Sequence, residues 1–551
     1  MKFPDYLIGT QKNTDKLLNN SMQIIIPMSG FGERFRKVGY KLPKPLIEVD
    51  GKPIIQYVVE MFPNESNFTF ICNKEHLEES NYHMRKTLER IAPKGKIVSI
   101  DPHKLGPIHA VLQSIDQLNS NEPIIVNYAD FTCDWNYSDF CKSVQLSNCD
   151  GAIPCYRGFH PHTLWSNYYA YVPEVDMFAT DIQEKKPFTK SPREEFASSG
   201  TYYFRNLEIM LYYFKRCIDE NLTVGGEYYV SMAYKPMIND KLKVQVYELN
   251  HFMQWGTPLD FEEYCYWSGL FKSIMTEQKP PSHKGTLMLP MVGKGLRFQN
   301  EGYAKPKPLI KVSGRPMAIQ ALDDLPNTET QKFILRADMD GITQFKKVLK
   351  NESTNSKFTI LNNMTDGQAI TCVEGSNGLQ LNEPVTIAAC DNGMIYDPTT
   401  FNKLMNDKDV DVIVWGARGY PGATRSPEMY GWIDSDEKGV INSISVKKAL
   451  ENPEKDPIIV GTFTFKRLSD YLNCVEKMRL RKATVNGEYY VDMAINDAIL
   501  SGLNCRVFEV NYYICWGTPN DLKTFEYWQN CFNGWLNHPY QFENDINFFN
   551  N

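Results

Sequence analysis

Apolar positions along this 551-residue chain gather into short runs that end where glycines begin. Residues 23–27 (QIIIP) and 286–290 (TLMLP) are two such runs, and residues 123–127 (PIIVN) and 384–388 (PVTIA) are two more. Runs of this length without polar alternation predict strands buried on both faces. Helical stretches separate them, and strands alternating with helices predict an α/β fold, a mainly parallel sheet covered by helices. In such sheets ligands bind beyond the carboxyl ends of strands, where the two glycine loops and Asp130 and Asp391 emerge.

The pattern occurs twice. PMSGFGERFRKVGYKLPKPLIEVDGKP, from Pro27, returns as PMVGKGLRFQNEGYAKPKPLIKVSGRP, from Pro290, with 16 of 27 positions identical. GEYYVSMA from Gly226 recurs as GEYYVDMA from Gly487, and WGTPLDFEEYCYW from Trp255 as WGTPNDLKTFEYW from Trp516, so the offset drifts only from 263 to 261. A unit of about 250 residues can bury its own core, which predicts a tandem of complete domains rather than a solenoid. The expected division is an extension over 1–21, a domain over 22–271, a linker over 272–285, a second domain over 286–535 and a tail over 536–551. The linker is read from KSIMTEQKPPSHKG, whose paired prolines and small polar residues break both apolar patterns.

Composition removes several classes of function. With 42% hydrophobic and 23% charged residues and a net charge of −7, the chain lacks the broad basic surface of a nucleic-acid binder. No apolar run approaches the roughly 18 residues of a membrane helix, so no membrane insertion is expected. The first residues lack the basic-then-apolar layout of a signal peptide, and a cytoplasmic location is expected. The thirteen cysteines are odd in number and scattered, without zinc-site spacing, and read as reduced thiols.

Candidate chemistry begins at the glycine loops. Gly30, Gly32 and Arg34 form G-x-G-x-R, repeated as Gly293, Gly295 and Arg297. Glycines let backbone N–H groups approach a phosphate, and a guanidinium adds bidentate charge. The pattern is neither a Rossmann fingerprint nor a P-loop, and a lone copy reads better as a plain tight turn. Lys44 in PKPLI and Lys307 in its repeat are flanked by prolines, which hold the ammonium in place at little entropic cost. A surface-loop lysine is the plainer reading of either one alone.

Together these residues resemble the sugar-nucleotidyltransferases, or NDP-sugar pyrophosphorylases, whose hallmark is G-x-G-x-R followed by a PKPL-type lysine. The likeness extends through both units and is nearest to the branch found in capsule and surface-polysaccharide gene clusters. It implies two tandem Rossmann-like nucleotidyltransferase domains, each a mainly parallel mixed sheet covered by helices. It also implies that Gly30, Gly32, Arg34, Gly293, Gly295 and Arg297 cradle an NTP triphosphate while Lys44 and Lys307 contact the reacting phosphates. Base recognition would fall at Gly106 and at Gly367 and Gln368, the glutamine being present only in the second copy. Lys185 and Lys447 would bind the acceptor's phosphate, Gly200 and Gly461 would bring backbone to the acceptor, and Glu227 and Glu488 would accept from its hydroxyls. Mg2+ is the implied cofactor, on Asp130 and Asp391.

The sequence departs from the family at the second metal position, where Gln254 and Cys515 stand instead of aspartate. Asp260 and Asp521 are the nearby carboxylates, open to two readings, metal ligand or helix cap. His160-Pro161-His162 faces Tyr420-Pro421-Gly422, a difference that reads either as divergent acceptor sites or as a solvated loop. The implied partners are an NTP and a phosphorylated sugar or related small molecule, with nucleic acid excluded and the oligomeric state open. Two alternatives stand beside this reading: one domain catalytic with the other a regulatory scaffold, or a glycosyltransferase using an NDP-sugar.

Overall fold

The computed structural model describes residues 22–119, 122–165, 169–276, 280, 282–353 and 355–549. The expected extension over 1–21 lies outside them. Two compact units emerge, Met1–Cys265 and Tyr266–Asn551.

The first unit is organised on a mixed sheet whose principal strands are β1 (Gln23–Met28), β2 (Phe68–Asn73), β3 (Lys96–Ile100), β4 (Ile124–Asn127), β5 (Gly151–Tyr156), β6 (Thr201–Phe204) and β7 (Val244–Glu248). Their order is β3-β2-β1-β4-β6-β5-β7. β1 is central, parallel to β2 on one side and to β4 on the other, which is why Ile24, Ile25 and Ile26 have no exposed surface. β6 alone of these runs antiparallel to its neighbours, β4 and β5. Helix Leu207–Asp219 lays Leu207, Met210, Phe214 and Cys217 on the sheet, and its first turn is capped by the Asn206 side chain accepting from Ile209 N.

The second unit has β8 (Ser282–Met291), β9 (Asn327–Arg336), β10 (Ser356–Leu361), β11 (Val385–Ala388), β12 (Val412–Ala417), β13 (Ile458–Phe465) and β14 (Cys505–Glu509), in the order β10-β9-β8-β11-β13-β12-β14. Strand for strand this is the order of the first unit, again with one antiparallel strand, β13, between β11 and β12. Helix Leu468–Leu480 buries Leu468, Tyr471, Val475 and Met478, the same face as its counterpart.

Two expectations need revision. The stretch read as a linker, 272–285, starts inside helix Pro258–Ile274 and ends inside β8, and the division between the compact units falls within that helix. The prolines marked a break, but the helix runs on to bury Ile274 beyond the expected boundary. The tail is not a loose appendage: Tyr540 is buried and donates to Asp545 Oδ2 at 2.6 Å, Phe542 stacks on Phe548 at 3.9 Å, and Phe549 N donates to Ser313 O at 2.9 Å. Its aromatics supply apolar area that the polar residues between them concealed. Among the described residues no helix is long and apolar enough to cross a membrane.

Candidate active site

A cavity of about 550 Å3 opens at the carboxyl end of β1 in the first unit. Arg34, Lys44, Asp130, Lys185, Gly200 and Glu227 line it, with Gly30, Gly32 and Gly106, so residues separated by up to two hundred positions in sequence meet around one cavity. Gly32 has φ of 65° and begins helix Glu33–Lys37, and Gly295 has φ of 66° before helix Leu296–Asn300. A side chain at Gly30 or Gly293 would meet nothing within 4 Å, leaving open space against the backbone that a close-packed phosphate can fill.

Lys44 sits in a short 3-10 turn, Lys44–Leu46, between its two prolines. Its Nζ donates to Asp130 Oδ2 at 2.6 Å and to Gly256 O at 3.3 Å. The second unit repeats the arrangement, with Lys307 Nζ donating to Asp391 Oδ2 and to Gly517 O at 2.9 Å. Burial disfavours the Lys307 ammonium, but Asp391 more than offsets this and the net shift is upward, so the lysine is held charged. Each aspartate is fixed through its own carbonyl, which accepts from Trp255 N at 2.9 Å or Trp516 N at 2.8 Å.

Lys185, which lines the same cavity, and Lys447 have left-handed backbone, φ 59° and 56°, rare for a side chain without special cause. Lys185 N donates to Tyr169 O at 2.8 Å and Lys447 N to Tyr430 O at 2.9 Å. The Lys185 Nζ donates to the Tyr229 hydroxyl at 2.7 Å, and that hydroxyl donates to Glu227 Oε2. In the second unit the Lys447 Nζ lies 5.0 Å from the Tyr490 ring centre, and Tyr490 is hydrogen-bonded to Glu488. Lys447 thus matches Lys185 although the flanking glutamate and proline are gone. Tyr229 and Tyr490 went unnoticed in sequence; their repetition in GEYY was the available signal.

The loop implied in base recognition is clipped to that same segment. Tyr228 N donates to Leu105 O at 2.9 Å and Ile108 N to Tyr228 O at 3.1 Å; Tyr489 N donates to Asp366 O at 2.8 Å and Ala369 N to Tyr489 O at 3.0 Å. Gly106 has φ 87°, and a Cβ there would lie 2.7 Å from Tyr228 N; at Gly367, φ 122°, it would lie 2.5 Å from Tyr489 N. Gln368 opens helix Gln368–Gly375 beside it. His103 and Lys104 also line the first cavity, and Lys104 pairs with Glu33 at 2.5 Å, contacts invisible in the linear sequence. Gly200, φ 100°, accepts from Tyr128 N at 3.1 Å, and Gly461, φ 79°, accepts from Ala389 N at 3.1 Å.

Asp260 Oδ2 accepts from Thr257 Oγ1 at 2.6 Å while Asp260 N donates to that oxygen at 3.2 Å, and Asp521 forms a full capping box with Thr518. Both carboxylates thus serve the start of a helix. His160 and His162 are not on a solvated loop. Both are buried among Tyr156, Tyr169 and Phe252, with His162 Nε2 3.0 Å from the Tyr156 hydroxyl, and burial lowers the His160 pKa to about 3.

For Mg2+, the donors present are one carboxylate per unit, Asp130 or Asp391, at the end of β4 or β11; among the described residues no three His, Cys, Asp or Glu side chains gather into a metal cluster. Such a set fits Mg2+, which takes few protein carboxylates and completes its shell with water and phosphate oxygens.

Residues 23–243 match the family model described as Nucleotidyl transferase. The mannose-1-phosphate guanylyltransferase catalytic subunit beta of Danio rerio is 28% identical over 134 residues, 24% of this chain and 37% of that protein. The mannose-1-phosphate guanyltransferase of Schizosaccharomyces pombe is 23% identical over 264 residues, 47% of this chain and 67% of that protein. The nucleoside-diphosphate-sugar pyrophosphorylase of Vibrio cholerae RC9 superposes on 44% of this chain and 99% of its own, with 18% identity and a TM-score of 0.37.

Proposed function

With residues 23–243 matching the nucleotidyl transferase family as premise, we propose that this chain joins an NTP to a phosphorylated sugar or related small molecule and releases pyrophosphate. The observation that carries the reading is the Lys44–Asp130 contact in the cavity that Lys185 also lines, recurring as Lys307–Asp391. That recurrence supports two tandem Rossmann-like nucleotidyltransferase domains over a catalytic domain with a scaffold.

The acceptor's phosphate oxygen, already ionised, attacks the α-phosphorus of the NTP. A P–O bond forms there as the bond to the β-phosphate oxygen breaks, and pyrophosphate leaves in line. No side-chain nucleophile takes part. Lys185, fixed by Tyr229, orients the acceptor phosphate, and Arg34 and Lys44 neutralise the triphosphate as charge develops. The open space at Gly30 admits the phosphates close to backbone N–H groups, and the clipped loop at Gly106 holds the base. Asp130 would hold Mg2+, which would supply further neutralising charge at the phosphates. Pyrophosphate release, assayed over a panel of NTPs and sugar 1-phosphates, tests the reading; free NDP as the product instead would identify a glycosyltransferase.

A further inference from the structure

Beside Lys185 the first cavity is walled by Glu184, whose carboxylate accepts from Ser231 Oγ at 2.6 Å. Glu184 is paired across the ribbon with Ala170. In the second unit all three positions differ together. Val446 stands for Glu184, its cross-strand partner Gly431 for Ala170, and Asp492 for Ser231. The carboxylate has left the strand and reappears on helix Val491–Leu500.

The changes are sterically linked. A Cβ on Gly431 would lie 2.5 Å from Asp492 Oδ2, so the alanine of the first unit would oblige the carboxylate to shift from this position. Independent drift could equally leave no carboxylate or two. Each unit retains one of the pair, supplied by the strand in the first and by the helix in the second. Burial raises the pKa of both, that of Asp492 to about 6, while Lys185 and Lys447 favour their ionised forms.

Resting on the reading of both units as acceptor sites, we infer that Asp492 is the carboxylate with which the second unit reads the acceptor. Lys447 takes the phosphate and Asp492 accepts from a hydroxyl. Because the carboxylate projects from the helix rather than the strand, the hydroxyl it meets lies on a different side of the acceptor from the one Glu184 meets. The two units thereby select phosphorylated polyols of different stereochemistry.

The test is acceptor binding by the full chain, measured by calorimetry with glucose, galactose, mannose and inositol 1-phosphates. Lys44→Ala with Lys185→Ala disables the first unit, so binding that remains belongs to the second. Asp492→Asn in that background is expected to weaken it by about tenfold or more, the loss of a hydrogen bond to a charged group. The exchange Gly431→Ala, Val446→Glu, Asp492→Ser is expected to shift the rank order toward that of the first unit, itself measured with Lys307→Ala and Lys447→Ala. Binding within about twofold after Asp492→Asn makes Asp492 structural and overturns the inference, as does an absence of binding once the first unit is disabled. Failure of the wild type to release pyrophosphate strikes the proposed function instead, since the binding measurement requires no turnover.

Discussion

The ammonium of Lys44 and the carboxylate of Asp130 lie 2.6 Å apart with side-chain exposures of 20% and 33%, so each satisfies the other while remaining within reach of a ligand. A pair this accessible contributes little to stability, about 1 kcal/mol at most after solvent screening. Lys44→Ala with Lys307→Ala is therefore expected to keep the melting temperature within a few degrees while lowering pyrophosphate release by roughly 100-fold or more. Full turnover by the double variant would remove the catalytic assignment.

Tyr229 touches both Lys185 and Glu227, and phenylalanine preserves its ring while removing the bridge. Tyr229→Phe is expected to raise the acceptor KM by roughly tenfold, with a smaller effect on the NTP KM, because a donor and an acceptor lose a shared partner. Steady-state kinetics with each substrate varied in turn reads the split. Equal rises in both KM values would mean that Tyr229 supports the whole fold of the site.

Gly106→Ala carries two penalties, a φ of 87° that side chains rarely adopt and a Cβ 2.7 Å from Tyr228 N. The loop must move, breaking the two backbone hydrogen bonds that hold it. A stability loss of about 1–3 kcal/mol in denaturant titration, with a raised NTP KM, is expected.

Asp260→Asn distinguishes a cap from a metal ligand. A helix-capping role predicts a loss of about 1 kcal/mol and an unchanged Mg2+ concentration for half-maximal rate. A tenfold rise in that concentration would return Asp260 to the metal.

The buried His160 is neutral in the folded state down to a pKa of about 3, whereas in the unfolded chain it titrates near 6.5. Its folded pKa is depressed, so the unfolded state binds the extra proton first. The stability from this residue is complete above about pH 6.5 and is lost as pH falls toward 3. Thermal unfolding across that window should fall less steeply for His160→Phe than for the wild type; parallel slopes would show that His160 is charged in the fold.

Much of the framework was legible in the chain. The runs at 23–27 and 286–290 became β1 and the centre of β8, because strands covered on both faces need uninterrupted apolar residues. Lys44 and Lys307 were legible because proline stiffness is local. The clip between Leu105 and Tyr228 was not, since it joins backbone atoms that only the sheet order brings together. The histidines stayed open to two readings because two polar residues beside proline resemble a loop until Tyr156 and Phe252 close over them. The carboxylate exchange stayed hidden because Ala170 and Glu184 are neighbours only across a ribbon.

The shared strand order also bears on how the chain reaches its native state. β1 and β8 want the same kinds of neighbours, and each unit can assemble only by pairing strands distant in sequence, β7 with β5 or β14 with β12. A folding molecule therefore contains near-cognate partners for every strand, and crossed pairing between the repeats competes with correct closure.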